Sequence, residues 1–344
     1  MSIGVTNLKA ASGRGPAARK RLMLRRKAGN WTLWGACAIA LALVVIPVVW
    51  ILEGVVSKAL AHWHWSVLTT TTVGQAGGLG NAIVGTLLIV FGVAIIAGVV
   101  GIAGGVYLAE FTSERRGSFL RGASEVLAGI PSIVLGYVGY ITLVLAFHWG
   151  FSLAAALIVL SIMVVPYITK STEVALRSVP TAYREGGEAL GMTSSVTLRK
   201  LVMKPALPGI ATGLIVALAI ALGETAPLLY TAGWSAKYPS LALTHSPVGY
   251  LPYAVYSFYN YPYASSKQLS NLAALLLIVL VLFLIVVARI IVSVTQRHAP
   301  DRPQRVERTR KLPFIDVFGA PFRTDRLQRF RKQAPQRATR PPPS

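Results

Sequence analysis

The chain has a single cysteine, Cys37, among 344 residues. No disulfide framework and no cysteine-based metal site can therefore form within it. Charge is scarce as well: only 13% of residues are Asp, Glu, Lys or Arg, against about 25% in an ordinary soluble domain. No Gly-x-x-x-x-Gly-Lys-Ser/Thr stretch occurs, so the phosphate cradle of P-loop ATPases is missing. No Ser/His constellation suggests a nucleophile. What fills the sequence instead is apolar: 54% of residues are hydrophobic and the mean hydropathy is +0.58. Several runs reach about 20 residues, which at about 1.5 Å rise each match a hydrocarbon core of about 30 Å. Only helices or closed barrels satisfy their backbone in lipid, and these runs are of helical length. The fold class expected is an all-α polytopic membrane protein.

Six runs are legible. The first covers about 31–53, with Trp31, Trp34 and Trp50 near its ends as interface anchors. Its apolar core is too long for a signal peptide, so a retained helix is expected. The second covers about 81–110, and its glycines predict close helix packing. A charged turn is expected at Glu114-Arg115-Arg116. The third covers about 123–147, and Pro131 predicts a kink or a helix start there. The fourth covers about 151–169, the fifth about 208–231 and the sixth about 269–292. Between the last two, 233–266 reads as an aromatic loop, with six tyrosines and two prolines in 250–263.

The net charge of +22 is concentrated in the tails. Residues 1–30 carry eight Lys/Arg and no acid; residues 297–344 carry thirteen Lys/Arg and four acids. Basic tails beside membrane helices point to topology and contact with anionic membrane lipid, not to nucleic acid. With six spans, one set of loops holds only Lys58, Lys237 and Lys267. The other holds Arg115, Arg116, Arg121, Lys170, Arg177, Arg184, Arg199, Lys200 and Lys204. The positive-inside rule then predicts both termini in the cytoplasm. The expected organisation is a basic tail over 1–30, a six-helix domain over 31–293 and a basic, Pro-rich, disordered tail over 294–344.

The segment 170–207 has mixed charge and helix-forming composition. Two short amphipathic helices are expected in it, broken at Gly191. The first begins after Pro180; the second opens near Thr193 or Ser194, either of which suits an N-cap. Periodicity alone leaves open whether this pair lies on lipid or docks a cytosolic partner.

Within that segment, Arg184-Glu185-Gly186-Gly187-Glu188-Ala189-Leu190-Gly191 resembles the EAA loop of ABC importer permeases. The resemblance implies the type I permease fold, with these residues forming a coupling helix seated on an ATPase subunit and Gly191 as its turn glycine. Two departures stand out: Glu-Gly-Gly replaces Glu-Ala-Ala, and Met203-Lys204 stands where Leu-Pro is common. Glycine lowers helix propensity by about 0.8–1.0 kcal/mol against alanine, which predicts a less rigid coupling helix. Further along, Gly223-Glu224-Thr225-Ala226-Pro227-Leu228-Leu229-Tyr230-Thr231-Ala232 resembles phosphate-importer permeases of the PstA type. So do Gly104-Gly105-Val106-Tyr107-Leu108-Ala109-Glu110, Pro131-Ser132-Ile133-Val134, and Val165-Pro166 running into Lys170-Ser171-Thr172-Glu173. The similarity spans about 75–293. It implies a phosphate importer of the bacterial cytoplasmic (inner) membrane. In such a system the chain pairs with a second phosphate permease, a dimer of ATPase subunits and an external phosphate-binding protein. ATP and Mg are then used by the ATPase, and this chain binds no cofactor.

Glu224 is the residue that calls for an account. An ionised group at the bilayer centre costs about 2.5–3.5 kcal/mol, so it is expected to face a pore or a partner. The positions four and eight before it are Ile220 and Val216, so its own helix offers it no polar neighbour. Relatives often carry Arg where this chain has Ile220. Lys170 and Arg289 are the cations considered as its partners, and Lys170, Glu173, Glu224 and Thr225 are the translocation-path candidates. The competing account is a neutral or capped glutamate at a helix break, since Pro227 follows. Three further classes stay open: an ABC permease for another oxyanion or an organic solute, a secondary transporter using Glu224 as a proton relay, and a membrane enzyme. For the last, His62 and His64 invite a metal reading, but they lie two apart in a tryptophan-rich stretch that fits an interfacial segment better.

Overall fold

The computed structural model describes the backbone of residues 16–74, 76–240 and 242–296, and the side chains of 29–74, 76–240 and 242–293. The tail from 297 onward and residues 1–15 lie outside the described residues.

Helix α1 (Pro16–Ala61) starts well before the first apolar run. A proline at a helix start gives up an N–H that has no partner there anyway, and Ala, Arg, Lys and Leu sustain the helix after it. It packs on the last helix, and Trp31, Leu43 and Trp50 stay exposed on it, as lipid-facing side chains do. A short turn, α2 (Ser66–Thr69), and a two-residue antiparallel pair, β1 (Thr72–Val73) and β2 (Ala76–Gly77), lead into α3 (Gly80–Val106). The end of α3 widens into a π-helical turn, Tyr107–Phe111.

The expected charged turn at 114–116 is instead the opening of a helix, α4 (Glu114–Gly129). Ser113 is extended before it, and an acid in the first turn suits the positive end of a helix. At Ile130-Pro131 the chain bends by 89° into α5 (Ser132–Gly139), which continues as π-helix through Tyr140–Ala146. The third apolar run is thus divided between two helices set at a sharp angle. Pro131 causes the break, because the residue before a proline is pushed out of the helical region; Ile130 has φ −70° and ψ 128°.

Helix α6 (Leu153–Arg177) is capped by Ser152, whose hydroxyl accepts the Ala155 N–H, and runs well past the expected end at 169. Next come α7 (Ala182–Ala189) and α8 (Ser194–Thr197), which passes through a π-turn (Leu198–Val202) into α9 (Met203–Gly223). The second amphipathic helix expected in this segment is therefore the foot of the fifth span, which begins at Ser194 rather than near 208. Thr193 occupies its N-cap position without a side-chain capping bond. The same span stops at Gly223 and resumes as α10 (Ala226–Thr231). The expected aromatic loop contains a helix, α11 (Leu251–Tyr259), and α12 (Ala264–Gln296) closes the bundle. Among the described residues, five helices are long and apolar enough to span a membrane, or six if the bent α4–α5 pair is one span.

The core lies where α3, α6 and α9 meet, around Val93, Leu160, Val164, Ile168 and Ala217, all fully or almost fully buried. The glycines of α3 permit this approach: a Cβ on Gly101 would lie 2.6 Å from the Cβ of Ile168. A second cluster joins Leu79, Leu251, Phe258 and Leu272. At that aromatic end the loop before α11 is tied down by specific bonds. Asn81 Nδ2 donates to the Ser235 carbonyl at 2.8 Å, the Leu251 N–H donates to Thr86 Oγ1 at 2.9 Å, and Trp234 stacks on Tyr253 at 4.6 Å. Backbone groups that cannot reach water must be satisfied in this way.

Candidate functional site

Two breaks in the bundle face each other. Glu224 is the first non-helical residue after α9, with φ −72° and ψ 129°. Pro227 sits in the first turn of α10, where its ring is tolerated. Against this break stands the start of α5. A Cβ on Gly136 would lie 2.6 Å from the Cα of Pro227, so the two short helices touch backbone to backbone. Glu224 and Thr225 are half-buried. The hydroxyl of Ser132, first residue of α5, is the hydrogen-bonding group that faces the Glu224 carboxylate. At the other end of α10, the Thr231 carbonyl accepts the Ser152 N–H at 2.9 Å, which ties α10 to the start of α6. An acid, two hydroxyl-bearing residues and two interrupted helices thus share one place in the bundle. Interrupted helices of this kind build solute sites in other transporters, since broken backbone is tolerated only where it is enclosed or lines a path.

The cations considered for Glu224 lie elsewhere. Lys170 Nζ is 3.5 Å from Glu125 Oε1 on α4, and both are exposed. Arg289 lines a cavity of about 830 Å³ between α9 and α12, together with Thr212, Val216, Ile220 and Ser293. Neither forms an ion pair with Glu224 among the described residues. Glu173 is buried, and its Oε1 takes Arg121 Nη1 at 3.0 Å and Arg177 Nε at 2.9 Å. Of the four path candidates, Glu224 and Thr225 are at the break. Lys170 and Glu173 share a smaller cavity of about 190 Å³ with Arg121 and Glu125, between α4 and α6.

The segment with the EAA-like residues is built at the opposite end. Gly191 takes φ +68°, a left-handed turn that favours glycine. The two glycines of Glu-Gly-Gly differ. Gly186 has open space, whereas a Cβ on Gly187 would lie 2.5 Å from Thr197 Oγ1. Gly187 therefore lets α7 lie against α8, a packing reason that propensity alone does not reveal. Glu185 and Glu188 face solvent. Arg184 does not: its guanidinium pairs with both carboxylate oxygens of Glu110 and donates to the Leu176 and Val179 carbonyls at 3.2 and 3.1 Å.

Sequence reading missed three residues that complete these clusters. Arg121 counts in the sequence only as a loop charge just before the third run, about 123–147, and Glu125 falls inside that run. Glu110 closed an apolar run and gave no sign of reaching Arg184. A period count across 114–125 would have exposed the α4 helix and placed Arg121 and Glu125 four apart on one face. Among the described residues, no three or more of His, Cys, Asp and Glu gather in one place.

A bundle of apolar helices with a paired interruption at an acid, and a charged helical loop at one end, is that of a membrane transport permease. The chain belongs to the family of binding-protein-dependent transport system inner membrane components, whose model matches residues 101–299. It is 54% identical over 280 residues to a protein of Mycobacterium tuberculosis (strain CDC 1551 / Oshkosh) named phosphate transport system permease protein PstA 2, covering 81% of this chain and 93% of that one. It is 35% identical over 247 residues to the phosphate transport system permease protein PstA of Yersinia pestis, covering 71% and 83%. Among solved structures, the MetNI methionine ABC transporter in an inward-facing form matches with a TM-score of 0.52 at 22% identity, over 63% of this chain and 95% of that one. That likeness speaks for the fold, which is that of an ABC importer permease in a multi-pass membrane protein.

Proposed function

We propose that this chain is the permease subunit of an ATP-driven importer of inorganic phosphate in the bacterial cytoplasmic membrane. It forms the translocation path with a second permease and receives phosphate from an external binding protein. A dimer of ATPase subunits docks on residues 182–204 and performs the hydrolysis with its own ATP and Mg, while this chain catalyses no reaction and binds no cofactor. Both tails lie in the cytosol. The observation that carries the reading is the pair of facing interruptions at Glu224 and Ser132. The identity of the solute rests on the similarity to relatives named as phosphate permeases.

In this mechanism, closure of the ATPases displaces α7 and the foot of α9. The bundle rocks, and the interruption opens alternately to the two sides of the membrane. A carboxylate repels phosphate, so Glu224 serves the path in one of two ways. It accepts from and orients a donor such as the Ser132 hydroxyl, or it is protonated and itself donates to a phosphate oxygen. The apolar Val216 and Ile220 on the neighbouring cavity wall favour, as the second reading, an ABC permease for an organic solute.

Radiolabelled phosphate uptake decides between them. Cells lacking this chain are expected to lose high-affinity uptake and to regain it with the wild-type chain. Unchanged uptake on deletion, with no redundant system expressed, refutes the phosphate reading and supports the other solute.

A further inference from the structure

Resting on the reading of 182–204 as the ATPase-coupled segment, we infer that Glu110 is the positioning residue that transmits its displacement to the membrane bundle. The bundle's charged end offers few rigid routes from α7. The direct one is the Arg184 guanidinium, three-quarters buried, which holds both oxygens of the Glu110 carboxylate, itself 16% exposed. Arg184 also bonds the carbonyls of Leu176 and Val179, so α7 is fastened to the end of α6 and the end of α3 by one side chain. The fastening continues. Arg177 donates to the Leu108 carbonyl at 3.2 Å, and its Nε holds Glu173, which holds Arg121 of α4. Glu110 is thus the acid at which α7 joins a chain of bonds reaching α4, and α4 leads directly into the bend before Ser132.

The element bearing Glu110 is suited to move. Tyr107–Phe111 is π-helical, and so is Leu198–Val202, which joins the foot of α9 to its body. A π-turn carries one extra residue in its ring and has a poorer ladder than the α-helix. It can shift to α-geometry by moving that residue along, which makes it a two-state element. Two of the paths from the coupling segment into the bundle therefore pass through such a turn, one through α9 and one through the Arg184–Glu110 pair, and Glu110 lies within the second. Coupling between sites requires an element of that kind, not mere adjacency.

The test uses the assembled transporter in proteoliposomes, with its ATPase subunits and binding protein, carrying Glu110→Gln. Glutamine keeps the size and one acceptor but removes the charge that holds Arg184. Phosphate import is expected to fall about tenfold or more, within the usual span of coupling energies, while ATP hydrolysis stays within about twofold. Hydrogen exchange at 107–129 responds to ATP in the wild type and loses that response in the variant, whereas exchange at 182–189 responds in both. Unchanged import overturns the assignment. So does a parallel loss of import, hydrolysis and ATPase co-purification, which would make Glu110 part of docking or folding. Should the wild type import no phosphate, the phosphate reading falls by itself. Hydrogen exchange then decides the role of Glu110, and an ATP response at 107–129 that is absent from the wild type, or equal in both proteins, overturns it.

Discussion

Glu173 and Glu224 are both acids set in an apolar helical bundle, and the fold treats them in opposite ways. Glu173 is surrounded: two guanidinium groups lie within 3.0 Å of one of its oxygens, and its side chain is 5% exposed. Glu224 stands at the end of a helix, half-buried, with a serine hydroxyl facing it and, among the described residues, no ion pair. The same division holds for their regions. At the charged end, Glu110 and Glu173 each meet a base and fasten one helix to another, while Glu125 pairs with Lys170 at the exposed surface. At the interruption, Glu224 meets the Ser132 hydroxyl and, among the described residues, forms no ion pair. Charge that is paired across helices builds the bundle; the proposed path instead runs past an acid that meets only a hydroxyl.

Four substitutions break or sharpen that contrast. The largest effect is expected from Glu173→Ala. It leaves Arg121 and Arg177 without their counter-charge, and losing one partner of a buried pair costs up to about 3–5 kcal/mol, less here because both arginines reach solvent. A drop of about 2–3 kcal/mol in stability, read as a lower thermal midpoint in detergent with import and ATPase docking lost together, is the expected result; a stable protein would show that the cluster is not structural. Next is Gly187→Ala, whose new methyl meets Thr197 Oγ1. Overpacking costs about 1–3 kcal/mol, and the reading to make is weaker co-purification of the ATPase, with normal membrane insertion. Glu224→Gln comes third on the stability scale, with a change under about 1 kcal/mol because no ion pair is broken. Phosphate uptake, by contrast, is expected to fall. Full rescue of uptake by this variant would make the residue structural, or normally protonated, and would erase the contrast with Glu173. Smallest is Lys170→Gln. Its exposed pair with Glu125 is worth about 0–1 kcal/mol, so neither midpoint nor uptake should move; a large loss of uptake would return Lys170 to the path.

Much of the architecture was legible residue by residue. The apolar runs located every long helix, since a membrane leaves the backbone no alternative to helix and the required length is set by the hydrocarbon thickness. Pro131 and Pro227 announced the two interruptions because a proline restricts its own φ and the residue before it. Gly191 announced its turn for the opposite reason, freedom at positive φ. The helix ends were less legible. The charge at 114–116 looked like a turn, and the polar stretch at 194–202 looked separate from the span it begins. Helix propensity is indifferent to whether a segment lies in lipid or in water, so the hydropathy boundary and the helix boundary need not coincide.

The candidate site divides in the same manner. That Glu224 would need an account follows from composition: an acid in such a run costs free energy wherever the run ends up. That its neighbour is Ser132, and not Lys170 or Arg289, follows from which helices cross, and a sequence carries no distance between residues so far apart along the chain. Likewise, the spacing in Glu-Gly-Gly predicts a weaker helix, but only the contact of α7 with α8 distinguishes a glycine with open space, Gly186, from one with none, Gly187. The sequence by itself determined a multi-pass helical membrane protein, its approximate spans and the places where helices must break, because these depend on local transfer free energies and backbone sterics. The tertiary structure alone decided the partners of each charge: which acids are neutralised by a base from another helix, and which one remains open at the interruption. Ion pairs and close packing act between atoms brought within a few ångströms, and only the folded bundle brings them there.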